Sequence, residues 1–307
     1  VHAAAVATSR VAWDLTSSCQ RCEFALDCGA VRMCLAHPTG ATRMAAVVRA
    51  VRAMRANLAE PLSLSSLAHA ALLSPFHFHR VFRHVTATTP ARFLTALRIA
   101  EATRLLACTP TSMTEVSARV GYAGLGTFTS QFTRLVGTPP RSFRELMALL
   151  GHRPVAEVLA GLAATPPAAA GTVDQDSGPI GLLAGGPHQD AVVLLGLFDT
   201  GVPQPRPAAC AVTTGHGVVR LAPVPDGVYH PLAVGFDPAA TVIQALTDHR
   251  APVRSVGAGA RPLVVRDGRA DRPFHLALRR PRITDPPVVT ALPLVLAAEL
   301  SIHADSR

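Results

Sequence analysis

The stretch FHFHRVFRHVTATTPARF, residues 76–93, decides how the first half of the chain is read. Phe78, Val81, Phe82 and Val85 stand at i, i+3, i+4 and i+7, the spacing of one buried helix face. Phe76, His79, Arg80 and Arg83 are left on the outward face. Just ahead, Ser74 is placed to cap the helix and Pro75 to take its first position. Ser63 precedes a shorter periodic run, LSSLAHAAL, in which Leu64, Leu67, Ala68 and Ala71 line one side. A short helix, a tight turn at LLSP and a second helix with a basic face is the order that lets the second helix enter a DNA major groove about 12 Å wide. A merely solvated basic face is the plain alternative, and this helix alone does not separate the two.

The same skeleton recurs fifty positions later in TFTSQFTRLVGTPPRSF, residues 127–143. Phe78 matches Phe128, Phe82 matches Phe132, Pro90 matches Pro140 and Phe93 matches Phe143. Upstream, Leu64, Leu67 and Ala68 pair with Met113, Val116 and Ser117 one position out of step, so a one-residue insertion is expected in the turn. The chain therefore holds two similar units. Between them ARFLTALRIAEATRLLA, residues 91–107, reads as a longer helix with Phe93, Leu97, Ala100 and Leu105 on its apolar side. At 1.5 Å per residue it spans roughly 25 Å, a rod suited to holding two helices on successive major-groove turns about 34 Å apart.

Charge is informative only once it is placed. The 307 residues carry a net charge of +9, and residues 44–150 hold 12 arginines against 4 acidic residues. Residues 151–307 hold 13 of each, and residues 1–43 hold 4 arginines and 3 acids. Positive charge concentrated in one segment is the footprint of a phosphate-rich partner. There is no lysine, which we attribute, with the richness in Ala, Pro, Gly and Val, to genome base composition rather than function. A hydrophobic content of 49% and a charged content of 16% describe a globular chain with a core. No apolar run reaches the roughly 20 residues of a bilayer span, so no membrane partner is expected. The first twenty residues lack a signal-peptide pattern, and the expected location is the cytoplasm, at the nucleoid.

Residues 1–43 read as a disordered leader ahead of a helix starting near Met44, with Val47, Val48, Val51 and Met54 on one face and Arg49, Arg52 and Arg55 on another. Cys19, Cys22, Cys28 and Cys34 are spaced C-x2-C-x5-C-x5-C, which is weakly suggestive of a metal site and less than a zinc motif requires. No cofactor is expected. The double-helix segment is assigned to residues 44–150, a Pro/Ala-rich linker to 151–178, a β-domain to 179–284 and a tail to 285–307.

Residues 44–147, about a third of the chain, resemble the DNA-binding domain of the AraC/XylS family of bacterial transcription regulators. The resemblance rests on the duplicated unit, the Gly121-Tyr122 turn and the Gly-x-x-Pro ending within VGYAGLGTFTSQFTRLVGTPPRSFREL. It implies base reading by Phe76, His79 and Arg80 in the first unit and by Leu125, Gly126, Thr129 and Ser130 in the second. It implies phosphate or flanking contacts by Arg83, Thr127, Arg134 and Arg141. Two positions depart from the commoner pattern: Gly124 stands where a capping Ser is usual, and Ser130 where Arg is frequent. The first unit is therefore expected to read bases directly, through Arg80 to guanine, and the second to act more through backbone contacts and DNA shape.

Beyond residue 178 short apolar runs bounded by turns follow one another: IGLLAG, AVVLLGLF, PAACAVTT, VVRLAP, VYHPLAVGF, PLVVR and PFHLALRR. This spacing, with a Pro-Asp-Gly turn at 225–227, predicts an all-β sandwich, so the whole is a multi-domain α plus β protein. GVVRLAPVPDGVYHPLAVGF resembles the transthyretin-like, carboxypeptidase-regulatory type of sandwich. His188, His216, His230, His249 and His275 are too scattered to be ligands, and Cys210 reads as a buried, inert strand residue. The glycines of GLLAGG and VGAGAR fit turns better than cofactor loops, and no nucleophile or phosphate-loop motif is present, so no enzyme is expected. The tail PPVVTALPLVLAAEL is assigned a short helix packed on the sandwich or on another copy.

The resulting expectation is a regulator that binds promoter double-stranded DNA through two helix-turn-helix units, with a β-sandwich for dimerisation, effector sensing or protein contact. RNA polymerase, an effector and a second copy of the chain are the further partners this arrangement allows. The family's usual sensory domain ahead of the DNA-binding part has no counterpart in the 43 upstream residues, so its sugar or small-effector sensing does not carry over. The rival reading makes the sandwich the active half, a carbohydrate- or protein-binding module tethered to DNA.

Overall fold

The computed structural model of the chain describes residues 38–163, 178–186, 189–199, 207–247, 253–259 and 261–288. Among these residues eight helices come first: α1 (Pro38–Ala56), α2 (Leu64–Ala71), α3 (Pro75–Thr86), α4 (Pro90–Cys108), α5 (Met113–Arg119), α6 (Leu125–Val136), α7 (Pro140–Leu150) and α8 (Val155–Ala163). Helix α1 starts six residues before the expected Met44, so the segment read as leader is helical at its end. From residue 40 on, the first buried side chain is Ala46, so residues 40–45 carry no apolar period to betray the helix. The cysteine quartet at 19, 22, 28 and 34 lies outside the described residues.

The repeat seen in the sequence is a repeated aromatic ladder. In the first unit Phe78 packs on Phe82 and Phe82 on Phe93, each pair with centroids 5.4 Å apart. In the second, Phe128, Phe132 and Phe143 stack in the same order at 5.6 Å, and Tyr122 adds a rung 5.7 Å from Phe128. All six phenylalanines are fully buried. Edge and tilted contacts of this kind add to the burial that already makes each ring a major core anchor. The out-of-step register also has a structural counterpart. The left-handed turn residue is Leu72 (φ 60°) in the first unit and Gly121 (φ 80°) in the second, 49 positions on, whereas the left-handed residues that end the next helices, Ala87 and Gly137, are 50 apart. The extra residue therefore lies between Gly121 and α6.

Helix α4 is buried almost all round. Besides the expected Phe93, Leu97, Ala100 and Leu105, it buries Leu94, Ala96, Ile99, Ala102 and Leu106. It has no single apolar face because it serves both units: Phe93, Leu94 and Leu97 join the first core, and Ile99, Ala100, Leu105 and Leu106 join the second.

Among the described residues the second half contains nine strands and one helix: β1 (Ile180–Gly185), β2 (Val192–Phe198), β3 (Ala209–Thr214), β4 (Gly217–Arg220), β5 (Gly227–Phe236), α9 (Val242–Thr247), β6 (Arg254–Ala258), β7 (Leu263–Arg266), β8 (Arg269–Ala270) and β9 (Phe274–Leu278). All seven expected runs are strands. Two sheets form: a small one ordered β4-β1-β9, and a larger one ordered β3-β2-β5-β7-β8 with β6 also on β5. The first half of VGAGAR, expected as a turn, is strand: Val256, Gly257 and Ala258 belong to β6, which pairs with β5 along Leu232–Phe236 and places Gly257 opposite Ala233.

The larger sheet is a middle layer. On β2, Val193, Leu195 and Leu197 face a core shared with the small sheet, while Val192 and Leu194 face a core shared with the helices. On β5, Tyr229 and Ala233 join the core between the sheets and Val234 and Phe236 the helix-side core. A strand buried on both faces loses polar alternation, which is why AVVLLGLF is continuously apolar. Residues 151–163, assigned to the linker, are therefore structured. Helix α8 buries Val155, Val158 and Leu159 in the helix-side core, and the Val155 amide donates to Ala240 at 2.8 Å. The segment 164–177 and most of the tail lie outside the described residues.

Candidate nucleic-acid interface

Helices α3 and α6 carry the sequence-predicted reading residues. In α3, Ser74 caps the helix by accepting from the His77 amide at 3.4 Å, and Pro75 occupies the first turn. Phe76 is 83% exposed, an unusual setting for phenylalanine, and Arg80 and Arg83 are exposed beside it while His79 is half-buried. Arg80 and Arg83 form no ion pair among the described residues. Phe78, Val81 and Phe82 are buried as the period requires, whereas Val85 is half-buried and Leu64 of α2 remains 41% exposed. The outward face of α3 thus offers one large apolar side chain, one imidazole and two guanidinium groups from three turns of helix.

Helix α6 is built alike and equipped differently. Gly124 at its N-cap provides no side-chain hydrogen bond. Leu125, Gly126, Thr127 and Ser130 are exposed and Thr129 is half-buried, so apart from Leu125 this face holds short side chains. A side chain added at Gly126 would meet no atom within 4 Å, so glycine there is not required by packing. Arg134 donates to Gln131 at 2.5 Å. Arg141 pairs with Glu145 at 3.2 Å in full solvent, a contact worth little to stability and easily exchanged for a phosphate. All eleven predicted residues lie on α3 and α6 or, for Arg141, in the first turn of α7.

Sequence reading missed what sets the relative placement of these helices. Arg98 of α4 donates from Nε to the Leu58 carbonyl at 2.9 Å and from a terminal nitrogen to the Glu60 carbonyl at 2.8 Å. Its guanidinium lies 5.9 Å from the centre of the Tyr122 ring. It therefore joins the loop before α2 to the turn before α6. Gly121 completes the joint: a Cβ there would lie 2.5 Å from the Leu58 oxygen and 2.8 Å from the Arg98 guanidinium. Arg49, the counterpart 49 positions earlier, stays within its own unit and donates to the Ala71 carbonyl at 2.8 Å. That shared spacing was the available signal for Arg98.

The β-half offers little chemistry of its own among the described residues. No group of three or more His, Cys, Asp or Glu side chains there could hold a metal. His216 and His275 are exposed, and His230 is half-buried, its pKa lowered first by burial. Cys210 departs from expectation: it is exposed on edge strand β3, though local burial still pushes its pKa up and keeps the thiol protonated. His188 and His249 lie outside the described residues. No described helix is long and apolar enough to cross a membrane.

Residues 67–146 match the family described as a helix-turn-helix domain, so this chain carries such a domain. Two curated relatives each align with about a third of the chain. An uncharacterised HTH-type transcriptional regulator, YobQ of Bacillus subtilis, is 31% identical over 94 residues, covering 31% of this chain and 39% of the relative. The RCS-specific HTH-type transcriptional activator RclR of Escherichia coli is 32% identical over 111 residues, covering 36% and 37%. The chain thus spans less than half the length of the curated relatives it matches. Among solved structures, a transcriptional regulator of Chromobacterium violaceum described as AraC-type is 28% identical, covering 34% of this chain and 92% of that one, with a TM-score of 0.33.

Proposed function

We propose that the chain is a sequence-specific transcriptional regulator that binds promoter DNA through α3 and α6 on adjacent major-groove turns. The observation that carries this reading is the pairing of two aromatic-cored units, each presenting a recognition helix, across one rigid 19-residue helix that spans about 28 Å. The match to helix-turn-helix domains and the transcriptional role of the relatives support it. The duplicated units and the Gly121-Tyr122 turn are those of an AraC/XylS-type domain, which we assign to residues 44–150. The first unit reads bases directly through Phe76, His79 and Arg80, with Arg83 on phosphate. The second, with Leu125, Gly126, Thr129 and Ser130, makes smaller contacts and depends more on DNA shape, while Thr127, Arg134 and Arg141 anchor it to the backbone.

In the β-half we read the two sheets as a sandwich of transthyretin-like type. Their shared core and the Tyr229 hydroxyl, which donates to the Pro225 carbonyl at 2.8 Å across the Pro-Asp-Gly turn, support this. The sandwich is the place for dimerisation, an effector or a protein contact such as RNA polymerase, and the protein works in the cytoplasm at the nucleoid.

The test is a pair of substitutions assayed on full-length protein at one fixed salt concentration, since phosphate contacts make affinity salt-dependent. Arg80→Ala should cost roughly 1–3 kcal/mol at the preferred site and flatten discrimination at one base pair. Ser130→Ala should leave both nearly unchanged. Intact preference in Arg80→Ala together with lost preference in Ser130→Ala would contradict the assignment.

A further inference from the structure

The β-half touches both helix-turn-helix units, and it does so at different places. On the second unit the seat is α9. The Val242 amide donates to the Arg153 carbonyl at 3.0 Å and the Ile243 amide to the Gly151 carbonyl at 2.9 Å. Val242, Ala245 and Leu246 enter the same core as Ile99, Leu106, Met147 and Leu150. The fit is close, since a Cβ on Gly151 would lie 2.7 Å from the Ile243 side chain. On the first unit the seat is Ile283, which packs against the cluster built by Phe78, Phe82, Phe93 and the apolar face of α1.

The segment that carries Ile283 is held in shape. Arg279 makes a two-pronged ion pair with Asp285, at 2.7 and 2.8 Å, and the Arg282 amide donates to the same carboxylate at 2.6 Å. Bidentate pairing fixes orientation as well as distance. The two seats are also linked to each other. Buried Arg254 of β6 donates to the Ala245 carbonyl in α9 and to the Val288 carbonyl beyond Ile283, at 3.5 Å in the second case, and lies 5.6 Å from the Phe236 ring centre. One guanidinium thus connects the element on the second unit to the strap on the first.

We infer that the β-half is a positioning element for DNA recognition: by gripping the second unit through α9 and the first through Ile283, it sets the half-site spacing that the two recognition helices accept. This inference rests on the two-unit DNA reading above. Inserting or deleting one base pair rotates the half-sites by about 34° and shifts them by about 3.4 Å. A rigidly gripped pair of units rejects that change, and a pair joined by α4 and Arg98 alone tolerates more of it.

The experiment first obtains the preferred site of the full-length chain by selection from random duplex DNA. Binding is then measured to that site and to versions with one and two base pairs added or removed between the half-sites. The parent should prefer its own spacing by about tenfold or more. Ile283→Asp, which places a charge against the first core, and Arg279→Ala, which releases the strap, should reduce that ratio to about threefold or less while affinity at the best spacing changes little. General destabilisation would instead weaken binding equally at every spacing, and circular dichroism melting identifies it. Should Ile283→Asp not fold, Ile283→Ala and Arg279→Ala carry the test. A spacing ratio equal to the parent's in folded variants overturns the inference. A parent that selects no bipartite site overturns the DNA reading itself, which is a different result.

Discussion

The two helix-turn-helix units share a skeleton and differ in how each is closed and what each presents. The first is closed by α1, whose Ala46, Val47, Ala50, Val51 and Met54 complete its core. The second opens into the rest of the molecule, its core running through α8 and α9 into β2 and β5. The first unit presents Phe76, Arg80 and Arg83 behind a serine cap, and the second presents Leu125 and smaller side chains behind a glycine, with Arg134 toward the far end of its helix. Each unit's core is completed from outside its own helix-turn-helix, and the element that completes it determines what it is coupled to. The first unit carries the larger outward side chains, and the second has the wider core connection to the β-half.

The largest test of this contrast is the aromatic ladder. Phe82→Ala and Phe132→Ala remove equivalent, fully buried rings, and each should cost about 3–5 kcal/mol. Because the second core is continuous with the sheet, Phe132→Ala should also lower hydrogen-exchange protection in β2 and β5, whereas Phe82→Ala should leave those strands protected. Equal loss in the strands from both variants would break the comparison.

Gly121→Ala acts on the joint. The left-handed backbone and the contact with the Leu58 carbonyl should together cost at least about 1 kcal/mol in chemical denaturation. By displacing Arg98 the variant should weaken binding to a bipartite duplex more than to a single half-site.

Acidification bears on the first unit. His84 is exposed at the surface, yet partial desolvation of its ring and then nearby Arg43 lower its pKa, so the unfolded chain, titrating near 6.5, takes up a proton before the folded one does. The contribution of His84 is thus present above about pH 6.5 and is lost as pH falls through the folded value. Melting temperature should decline on acidification below that point, and His84→Gln should reduce the slope. The smallest effect expected is from Gly124→Ser, which supplies the missing cap and should stabilise by a few tenths of a kcal/mol, read as a small rise in melting temperature.

Much of the helical half was legible because its cores are periodic and duplicated. Phe78, Phe82, Phe128 and Phe132 recur at helical spacing, and Ser74, Pro75 and Gly137 mark helix ends by local chemistry alone. Arg98 was not read, since its partners are backbone carbonyls about 40 positions away and carry no side-chain signature. The strands were legible from short β-branched runs, but β6 was hidden because Gly257 sits inside it. Helix α9 was hidden because six residues are too few to show a period. The continuous apolarity of β2 was itself a sign of burial on both faces, and hence of a layer of helices against the sheet. Exposure of Cys210 was unreadable because edge position depends on strand order, which no local run encodes.

The most direct test of the central claim is selection of random duplex DNA by the full-length chain at one stated salt concentration. The account predicts a single bipartite motif with half-sites about 10 base pairs apart, sharply defined where the first unit binds and shallower where the second does. Recovery of no motif, with binding that vanishes at moderate salt, would contradict it and leave the basic face a non-specific anchor.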